Sequence, residues 1–543
     1  MSAAPTPSTA TTAAGTPFDP GAARAVLVVL TLMAAMVTYV ETMVIPAFRS
    51  FVTFFDNAPA TTVVWIVSAY LLVGTVATPI FGKLGDKYGK KRILVLVMSL
   101  YAVAVSLAGF APNIGAAFGL DRANQIYVLI GIRAFQGLGM GMFPLAFAMI
   151  PEVYPAARVG PAQGIISSMF AAGASVGLVG GGYIAYEWGW QLTYHTVIPL
   201  AVTLAVLAYL FLRESPHLTP HPFDLPGIGS LGLALAFTMF GLTEGAYWGW
   251  GHWSAVSLAG VPWGVPQFFL LALLAIGFFL FWEPRAKFPV VSFAAMKQRN
   301  IWISNVNGVI VGTAMFLIFI AMAILVEYPF APGFNYNEFQ MGLVSVPSSV
   351  SMLVLAPVWG RWVTARGPKP VMIGGFAIMG LGALGLVLFH GSILELLLLT
   401  IPTLVGNVAV LIAMSNIIVL SSPPKELGIQ TGMNQTFRNL GSAIGPVIVA
   451  TVTASFVTTI YLPVQGASGL TTQPLSVYTI TGFELVFAIT AVAALLGLLL
   501  SLGLRNFRFL ADGRREEVLP GRSRAPRAVP EEPPMAVVRP PDP

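Results

Sequence analysis

The residues best placed to do chemistry in this chain are ionisable side chains inside long apolar segments, first among them Glu41 and Arg133. A count of about 1.5 Å per residue along each predicted helix puts both at a similar depth, about 25 Å from the same face. Burial favours a neutral carboxyl group, whereas a neighbouring arginine favours the carboxylate. The pair is therefore a candidate site of reversible protonation. A static ion pair that only fixes two helices is the structural alternative.

Other polar residues in apolar segments have two possible roles each. Gln136 follows Arg133 within one turn, and either shares its cavity face or bonds a neighbouring helix. Asn305 and Asn307 stand near the start of a later apolar segment, where hydrogen bonding between helices is the favoured role. Arg438 contacts substrate in one interpretation and snorkels or joins helices in the other. We take Gln136, Asn305, Asn307 and Arg438 as candidate cavity residues.

Three further carboxylates, Glu244, Glu327 and Glu484, fall close to predicted helix ends. Side chains in such positions can reach the membrane interface, and need no partner inside the bilayer. Glu41 is therefore the principal candidate for proton coupling.

The elements that must position these residues are predicted membrane helices. Hydrophobic residues make up 56% of the 543 residues and charged residues 9%, with a mean hydropathy of +0.80. Such a chain is too apolar to be a soluble globular protein, and we expect an all-α polytopic membrane protein. Apolar runs of about 20 residues, long enough for a roughly 30 Å hydrocarbon core, recur along it. They predict fourteen spans, near 24–48, 61–81, 93–111, 126–150, 163–186, 194–212, 227–247, 265–283, 301–327, 341–359, 369–390, 394–419, 428–456 and 477–504.

The distribution of basic residues predicts a cell-membrane protein with both termini in the cytoplasm. Among the lysines and arginines outside the predicted spans, only Arg49 and Arg122 fall on the outer side. The net charge of +6 is then mainly an orientation signal with a secondary affinity for anionic lipid, and it does not indicate nucleic-acid binding. The tails, 1–23 and 505–543, have the composition of disordered segments. The chain has no cysteine, which excludes disulfides and thiolate chemistry.

The segment 82–92 joins two of the predicted spans and carries five cations and one carboxylate. Its glycines allow the backbone to reverse direction, and Asp86 is placed to cap the next helix and to bind a cation across a helix seam. Such contacts can break and reform during a conformational change. The segment is a candidate conformational latch, made of Gly82, Gly85, Asp86, Gly89, Lys90 and Arg92.

The second half of the sequence repeats the first. A shift of 278 residues lays Pro79, Gly82 and Gly89 on Pro357, Gly360 and Gly367, while a shift of 268 lays Gly173 and Gly177 on Gly441 and Gly445. Two homologous halves around a central site are typical of transporters that rock between two conformations.

These motifs resemble those of the major facilitator superfamily and, within it, the fourteen-helix drug:proton antiporter family. The segment 82–92 is similar to the superfamily signature between helices 2 and 3, and 133–141 is similar to that of helix 4. Segments 223–227 and 248–250 resemble the inserted helix pair of the fourteen-helix group, and 437–441 fits its helix 13. Leu178 stands where the helix 5 antiporter motif has a proline. The glycines that follow that motif are Gly164, Gly173, Gly177, Gly181 and Gly182.

The resemblance implies a major-facilitator-like fold of two six-helix bundles plus two inserted helices. The predicted domains are a disordered tail (1–23), an N-terminal six-helix bundle (24–212), a linker with two extra helices (213–300), a C-terminal six-helix bundle (301–504) and a second disordered tail (505–543). The implied activity is export of amphipathic small molecules in exchange for protons by alternating access, without a cofactor. Membrane lipids are the other expected partners, and the oligomeric state stays open.

Other function classes lack the residues they need. No phosphate-binding loop, Ser-His-Asp arrangement, paired catalytic carboxylates or metal-ligand spacing is found in the sequence, so neither an ATP-driven pump nor a membrane enzyme is expected. Proton-coupled uptake and lipid translocation remain alternatives within transport. A receptor or scaffold that keeps the fold without transport is a remote alternative, against which the intramembrane carboxylate argues.

Overall fold

The protein is almost entirely α-helical. The computed structural model describes residues 12, 17–215, 224–254, 256–258, 261–287, 289, 291, 293–422, 427–466, 469–509 and 515–517, so that Phe223 and most of the two tails lie outside the described residues. The helices are α1 (Pro20–Thr42), α2 (Phe48–Phe54), α3 (Ala60–Val63), α4 (Trp65–Tyr88), α5 (Lys90–Ala108), α6 (Ala111–Ala117), α7 (Gln125–Gln136), α8 (Met142–Val153), α9 (Ala156–Trp188), α10 (Trp190–Phe211), α11 (Leu225–Trp248), α12 (Val265–Trp282), α13 (Phe293–Met296), α14 (Arg299–Glu327), α15 (Glu338–Arg366), α16 (Pro368–Leu388), α17 (Ile393–Ser421), α18 (Leu427–Ser455) and α19 (Ile480–Leu502). Short 3-10 segments cover Ile45–Ala47, Gly137–Gly141 and Glu283–Arg285.

Twelve helical segments of the described residues are long and apolar enough to cross a membrane. Helices α9 and α18, of 33 and 29 residues, are not among the twelve. Polar side chains in the first half of α18 lower its hydropathy. The all-helical membrane fold is confirmed, and the count of fourteen spans is not.

The helices form two bundles. Helices α1–α10 make up one, which we call the N-half, and α14–α19 make up the other, which we call the C-half. In the N-half α1 packs against α9 and α5 against α10, while in the C-half α14 packs against α18 and α16 against α17 and α19. The halves contact one another mainly through α4 with α18 and α9 with α15.

A glycine seam, in which two helix backbones approach closely, joins α1 to α9 in the N-half and α14 to α18 in the C-half. A Cβ atom added at Gly173 or Gly177 of α9 would clash with backbone carbonyls of α1. In the C-half, a Cβ at Gly441 of α18 would clash with the Val309 carbonyl of α14, and one at Gly445 would lie 2.8 Å from Cβ of Phe316. The glycines that align in the sequence repeat therefore serve equivalent helix pairs, as expected for small-xxx-small packing.

Helices α11 and α12 pack against each other outside the two bundles. Helix α11 also contacts both α4 and α18, one from each half. The hydroxyl of Thr451 in α18 donates to the carbonyl of Leu242 in α11 at 2.9 Å. The inserted pair thus covers one of the two lines along which the halves meet.

The two ends of the bundles differ in charge. The α4–α5 and α15–α16 turns lie at one end, which we call the basic face, and each turns at a glycine with positive φ, Gly89 at 103° and Gly367 at 82°. A residue with a Cβ is strained in that conformation. The other end, which we call the opposite face, carries α2 and the α14–α15 loop.

Short strands complete the described chain. They are β1 (Val256–Leu258), β2 (Val261–Trp263), β3 (Val457–Gly466), β4 (Gly469–Tyr478), β5 (Phe507–Phe509) and β6 (Arg515–Glu517), paired as three antiparallel hairpins. The β3–β4 hairpin was not predicted from the sequence, although its threonine, valine and aromatic residues favour strands.

Two predicted boundaries, those of the tails 1–23 and 505–543, differ from the structure. Helix α1 begins at Pro20 within the predicted tail, because Asp19 accepts the backbone N–H groups of Gly21 and Ala22 at 3.0 and 3.2 Å and caps the helix. Strand β5 likewise lies inside the second predicted tail.

Candidate transport site

Arg133 lies at the centre of a polar cluster in the N-half, and its side chain is fully buried. Its Nε donates to the carbonyl of Ile66 in α4 at 2.9 Å, and its Nη1 donates to Oε1 of Gln136 at 2.8 Å. Because Arg133 and Gln136 are three residues apart on α7, they share one helix face. The guanidinium also lies 4.5 Å from the centre of the Tyr70 ring, a distance typical of a cation–π contact. This set of contacts fixes the arginine in one orientation.

Tyrosines from three helices surround this arginine. Tyr70 of α4, Tyr101 of α5 and Tyr194 of α10 are all fully buried. Among the described residues, the hydroxyls of Tyr70 and Tyr194 and Nη2 of Arg133 have no hydrogen-bond partner. A buried polar group without a partner costs about 1–3 kcal/mol. The cluster therefore offers several unused donors to water or to a ligand.

Glu41 of α1 interacts electrostatically with two arginines, one from each half. Its side chain is 7% exposed, and its carboxyl group interacts electrostatically with Arg438 of α18 and, less strongly, with Arg133 of α7. Among the described residues Glu41 has no direct salt bridge. The sequence predicted only Arg133 as the partner of Glu41, and the interaction with Arg438 was not predicted.

The packing of α18 explains why Arg438 reaches Glu41. The seam at Gly441 holds α18 against α14 in the C-half. One residue beyond Arg438, Nδ2 of Asn439 donates to the hydroxyl of Thr78 in α4 at 3.5 Å. Arg438 is thereby held at the boundary with the N-half. Nothing in the local sequence of α18 indicates this, because the partner lies about 400 residues away in the chain.

Asn305 and Asn307 are fully buried inside the C-half, where they join helices. Asn305 accepts a hydrogen bond of 3.1 Å from Nδ2 of Asn434 in α18. Asn307 donates to the hydroxyl of Ser501 in α19 at 3.0 Å. The structure therefore does not bring these two asparagines together with Gln136, and they use the hydrogen-bonding role that the sequence analysis favoured.

The candidate latch forms a charge network at the basic face. Lys90 lies 3.8 Å from Asp86 one turn earlier, and also pairs with Glu152 at the end of α8. Glu214, after α10, accepts the backbone N–H groups of Lys91 and Arg92 at 3.1 and 3.3 Å. Glu214 thus binds the start of α5, the role that the sequence analysis gave to Asp86.

Two other latch residues have close neighbours. A Cβ at Gly85 would clash with the side chain of Leu145 in α8. A Cβ at Gly82 would lie 3.5 Å from Pro144, in ordinary contact. Lys83, between them in sequence, interacts electrostatically with Asp224 and Glu283 of the inserted pair. The latch segment therefore contacts both α8 and the inserted helices.

The glycines of the α9 motif have different environments. Gly173, Gly177 and Gly181 face α1, whereas nothing lies within 4 Å of a Cβ at Gly164. A Cβ at Gly182 would lie 2.5 Å from the Glu338 carbonyl of α15, in the C-half. One motif thus serves packing within the N-half and contact between the halves.

At the opposite face, hydrogen bonds join the two halves. The backbone N–H of Arg49 in α2 donates to Oε2 of Glu327 at the end of α14 at 3.0 Å, and Nη1 of Arg49 donates to Oδ1 of Asn335 at 2.8 Å. The hydroxyl of Ser50 donates to the carboxylate of Glu338. Glu327 is only 2% exposed, so the expectation that it reaches the membrane interface is wrong.

The described residues leave a small cavity between the halves. A cavity of about 20 Å³ lies where Leu178 of α9 meets Phe319, Met322 and Thr400 of the C-half. Leu178 stands at the position where the helix 5 motif has a proline. With the opposite face joined by hydrogen bonds, this is a closed conformation on that side.

The sequence matches the Major Facilitator Superfamily profile over residues 30–296 and 306–533. An uncharacterized MFS-type transporter of Mycobacterium tuberculosis, Rv1250, is 26% identical over 402 residues, which span 72% of this chain and 63% of the relative. The multidrug transporter protein MdtP of Bacillus subtilis is 25% identical over 393 residues, 72% of this chain and 68% of MdtP.

A solved structure has the same fold. The crystal structure of the human organic anion transporter MFSD10 (TETRAN) superimposes with a TM-score of 0.57 at 13% identity, covering 89% of this chain and 100% of that one. At this identity the likeness concerns the fold alone. Because the family profile covers most of the sequence, the chain belongs to the major facilitator superfamily, and it is a membrane transporter and not an enzyme.

Proposed function

We propose that this transporter exports amphipathic small molecules in exchange for protons. The observation that carries the proposal is the electrostatic interaction of buried Glu41 with Arg133 of the N-half and with Arg438 of the C-half. A carboxylate between two arginines attracts both halves, and a protonated carboxyl group does not. Protonation of Glu41 therefore weakens the electrostatic attraction between the halves at the level of the central site.

The exchange follows from competition for this site. In the state open to the proton-rich side, a proton binds Glu41 and releases the arginines. In the state open to the cytoplasm, water in the cavity and the two arginines favour the carboxylate form of Glu41. A substrate bound in the cluster around Tyr70, Gln136 and Arg133 then competes with the return of a proton. The unused donors of the cluster supply polar contacts, and the surrounding apolar helices accept the rest of an amphipathic molecule.

The orientation and the span count are part of the proposal. Both termini and the basic face lie in the cytoplasm, in keeping with the positive-inside distribution. Helices α9 and α18 also cross the membrane, which makes fourteen spans, since each packs over much of its length against a helix that spans it. The opposite face is then the outer face, and the hydrogen bonds at Arg49 and Ser50 close it.

The export of drug-like compounds is supported by the relative that is named a multidrug transporter. Its identity of 25% leaves the substrate of this chain to experiment. Asn305 and Asn307 support the C-half wall of the cavity in this proposal. The latch made by Asp86, Lys90 and their neighbours stabilises the outward-open state through contacts across the helix seam.

The test is flux in proteoliposomes under an imposed pH gradient. Lipophilic cations, neutral drugs and labelled lipids would be offered to the wild type and to Glu41→Gln. We expect gradient-driven exchange of amphipathic compounds that falls at least tenfold in the variant. Glu484→Gln is the matched control, because Glu484 pairs with His390 at 3.4 Å within the C-half, and it should keep wild-type flux.

Three other outcomes of this flux experiment would contradict the proposal. If Glu41→Gln exchanges as fast as the wild type, Glu41 does not couple protons. If a pH gradient drives net accumulation in the direction of proton flow, the transporter is a proton-coupled uptake system. Flux of labelled lipid alone would make it a lipid translocator.

A further inference from the structure

A cleft of about 260 Å³ opens on the basic face of the N-half, away from the central site. It lies where α1 and α9 begin and where α8 ends. Its rim carries Arg24 and Arg158, and Phe18 and Tyr154 form its aromatic wall. No residue of this cleft belongs to the proton site, the latch or the contacts between the halves.

The aromatic wall is held in place by contacts within the N-half. The hydroxyl of Tyr154 donates to the carbonyl of Ala23 in α1 at 3.2 Å, and the rings of Tyr154 and Phe18 are 6.2 Å apart. The guanidinium of Arg158 lies 5.7 Å from the centre of the Phe18 ring. Both Arg24 and Arg158 interact electrostatically with Tyr154. The two cations therefore flank one buried phenol.

The cleft has a strong charge preference. Its lining residues include two guanidinium groups and no carboxylate. The nearest carboxylate in sequence, Asp19, is used elsewhere: it accepts two backbone N–H groups of α1 and pairs with Arg213 at 3.3 Å. Neither Arg24 nor Arg158 has a salt bridge among the described residues. Two converging arginines favour an anion with several oxygens, such as a phosphate.

The lining changes from charged to apolar along both helices. Leu27 follows Arg24 by one turn of α1, and Ile165 follows Arg158 by two turns of α9. Ile165 is 46% exposed on the surface of the bundle. Because α1 and α9 run from the basic face into the membrane, the arginines lie at the headgroup level and the apolar residues lie deeper. An amphiphile with an anionic head and a hydrocarbon tail matches this gradient.

We propose that this cleft binds an anionic phospholipid, with its phosphate between Arg24 and Arg158 and an acyl chain along Leu27 and Ile165. The inference rests on the membrane placement given under Proposed function, and it does not depend on drug export or on Glu41. The bound lipid fills the gap between α1 and α9 at the end where the glycine seam does not hold them together.

The experiment uses the full-length protein in detergent, exchanged against phosphatidylglycerol or phosphatidylcholine and examined by native mass spectrometry. We expect phosphatidylglycerol to be retained in preference to phosphatidylcholine. The double variant Arg24→Gln/Arg158→Gln should lower the apparent affinity for phosphatidylglycerol at least tenfold. The matched control is Arg366→Gln, because Arg366 is an exposed cation at the basic face that lies 5.1 Å from the Trp362 ring.

A test with inorganic phosphate distinguishes a lipid headgroup from a free phosphate ion as the bound anion. The lipid proposal is wrong if millimolar phosphate displaces the lipid. It is also wrong if phosphate raises the melting temperature of the wild type as much as the lipid does, with no such rise in the double variant, because the site then recognises a free anion. Equal retention of phosphatidylglycerol by the double variant and the control also overturns it. Circular dichroism and gel filtration verify that the double variant is folded.

This experiment is independent of transport. Loss of lipid binding in the double variant supports the inference even if Glu41→Gln leaves flux unchanged. Conversely, proton-coupled export with no preference for the anionic lipid would leave the proposed function intact and remove only this site.

Discussion

The backbone N–H of Arg49 donates a 3.0 Å hydrogen bond to Oε2 of Glu327, and it joins the N-half to the C-half at the opposite face. Arg49 was one of two basic residues that the charge distribution left on the outer side, and Glu327 is buried at the contact. A state that is open at the opposite face must break this bond. Its two residues are therefore positioned to set the balance between closed and open states.

Glu327→Ala should favour outward opening. A hydrogen bond of this kind contributes about 0.5–1.5 kcal/mol, so its loss shifts the equilibrium roughly 2- to 10-fold. Since the chain has no cysteine, a single Ser348→Cys beside the central cavity reports the shift as faster labelling by an impermeant thiol reagent. Glu484→Ala, whose carboxylate pairs within the C-half, should leave the rate unchanged. Equal rates in both variants would show that the Arg49 contact does not hold the closed state.

Arg438→Gln should abolish proton coupling, while Arg438→Lys should retain much of it. Arg438 is the stronger electrostatic partner of Glu41, and a lysine keeps the charge that the interaction needs. We expect at least tenfold slower exchange under a pH gradient for the glutamine variant and less than a threefold change for the lysine variant. Equal losses in both would mean that the shape of the guanidinium matters and not its charge.

Gly173→Ala and Gly177→Ala should each destabilise the protein, whereas Gly164→Ala should not. The first two glycines lie against the α1 backbone, and a methyl group there forces the helices apart, at a cost of about 1–3 kcal/mol. Gly164 has open space around it, and alanine favours the helix by about 0.5–1 kcal/mol. Thermal unfolding in detergent measures all three. A destabilised Gly164→Ala would contradict the assignment of the seam.

Lys83→Met should loosen the inserted helix pair from α4. Lys83 interacts with Asp224, at the start of α11, and with Glu283, just after α12. Because Lys83 is only half-buried, we expect a loss of about 1 kcal/mol in unfolding free energy. In a double-mutant cycle, Asp224→Asn should cost less in the Lys83→Met background than in the wild type. Additive effects would show that the two residues are not coupled.

Asp86→Asn should shift the population toward the inward-open state. The carboxylate is held 3.8 Å from Lys90, and its neutralisation weakens the charge network of the latch. A cysteine at Gly432, where a Cβ lies 3.9 Å from Pro144 of the other half, should then be labelled several-fold faster from the cytoplasmic side. Asp121→Asn, at the opposite face, is the control. No change in labelling would count against the latch.

The sequence alone determined the features that depend on local composition and on spacing along one helix. Apolar runs predicted the membrane helices, because each must satisfy its backbone hydrogen bonds internally. Counting residues along two helices placed Glu41 and Arg133 at similar depth, and both do interact in the structure. The glycines aligned by the internal repeat serve equivalent seams in the two halves, since close backbone approach requires that residue type wherever it occurs.

The tertiary structure decided which helix faces which. Arg438 reaches Glu41 only because α18 packs against α4, and Glu327 is buried only because α2 closes on α14. The same packing directs Asn305 and Asn307 toward α18 and α19, and it lets Glu214 bind the start of α5. Local hydropathy in the sequence specifies how deeply such groups are buried. Their partners depend on how helices rotate and cross, and those helices come from segments hundreds of residues apart. No local pattern encodes that packing.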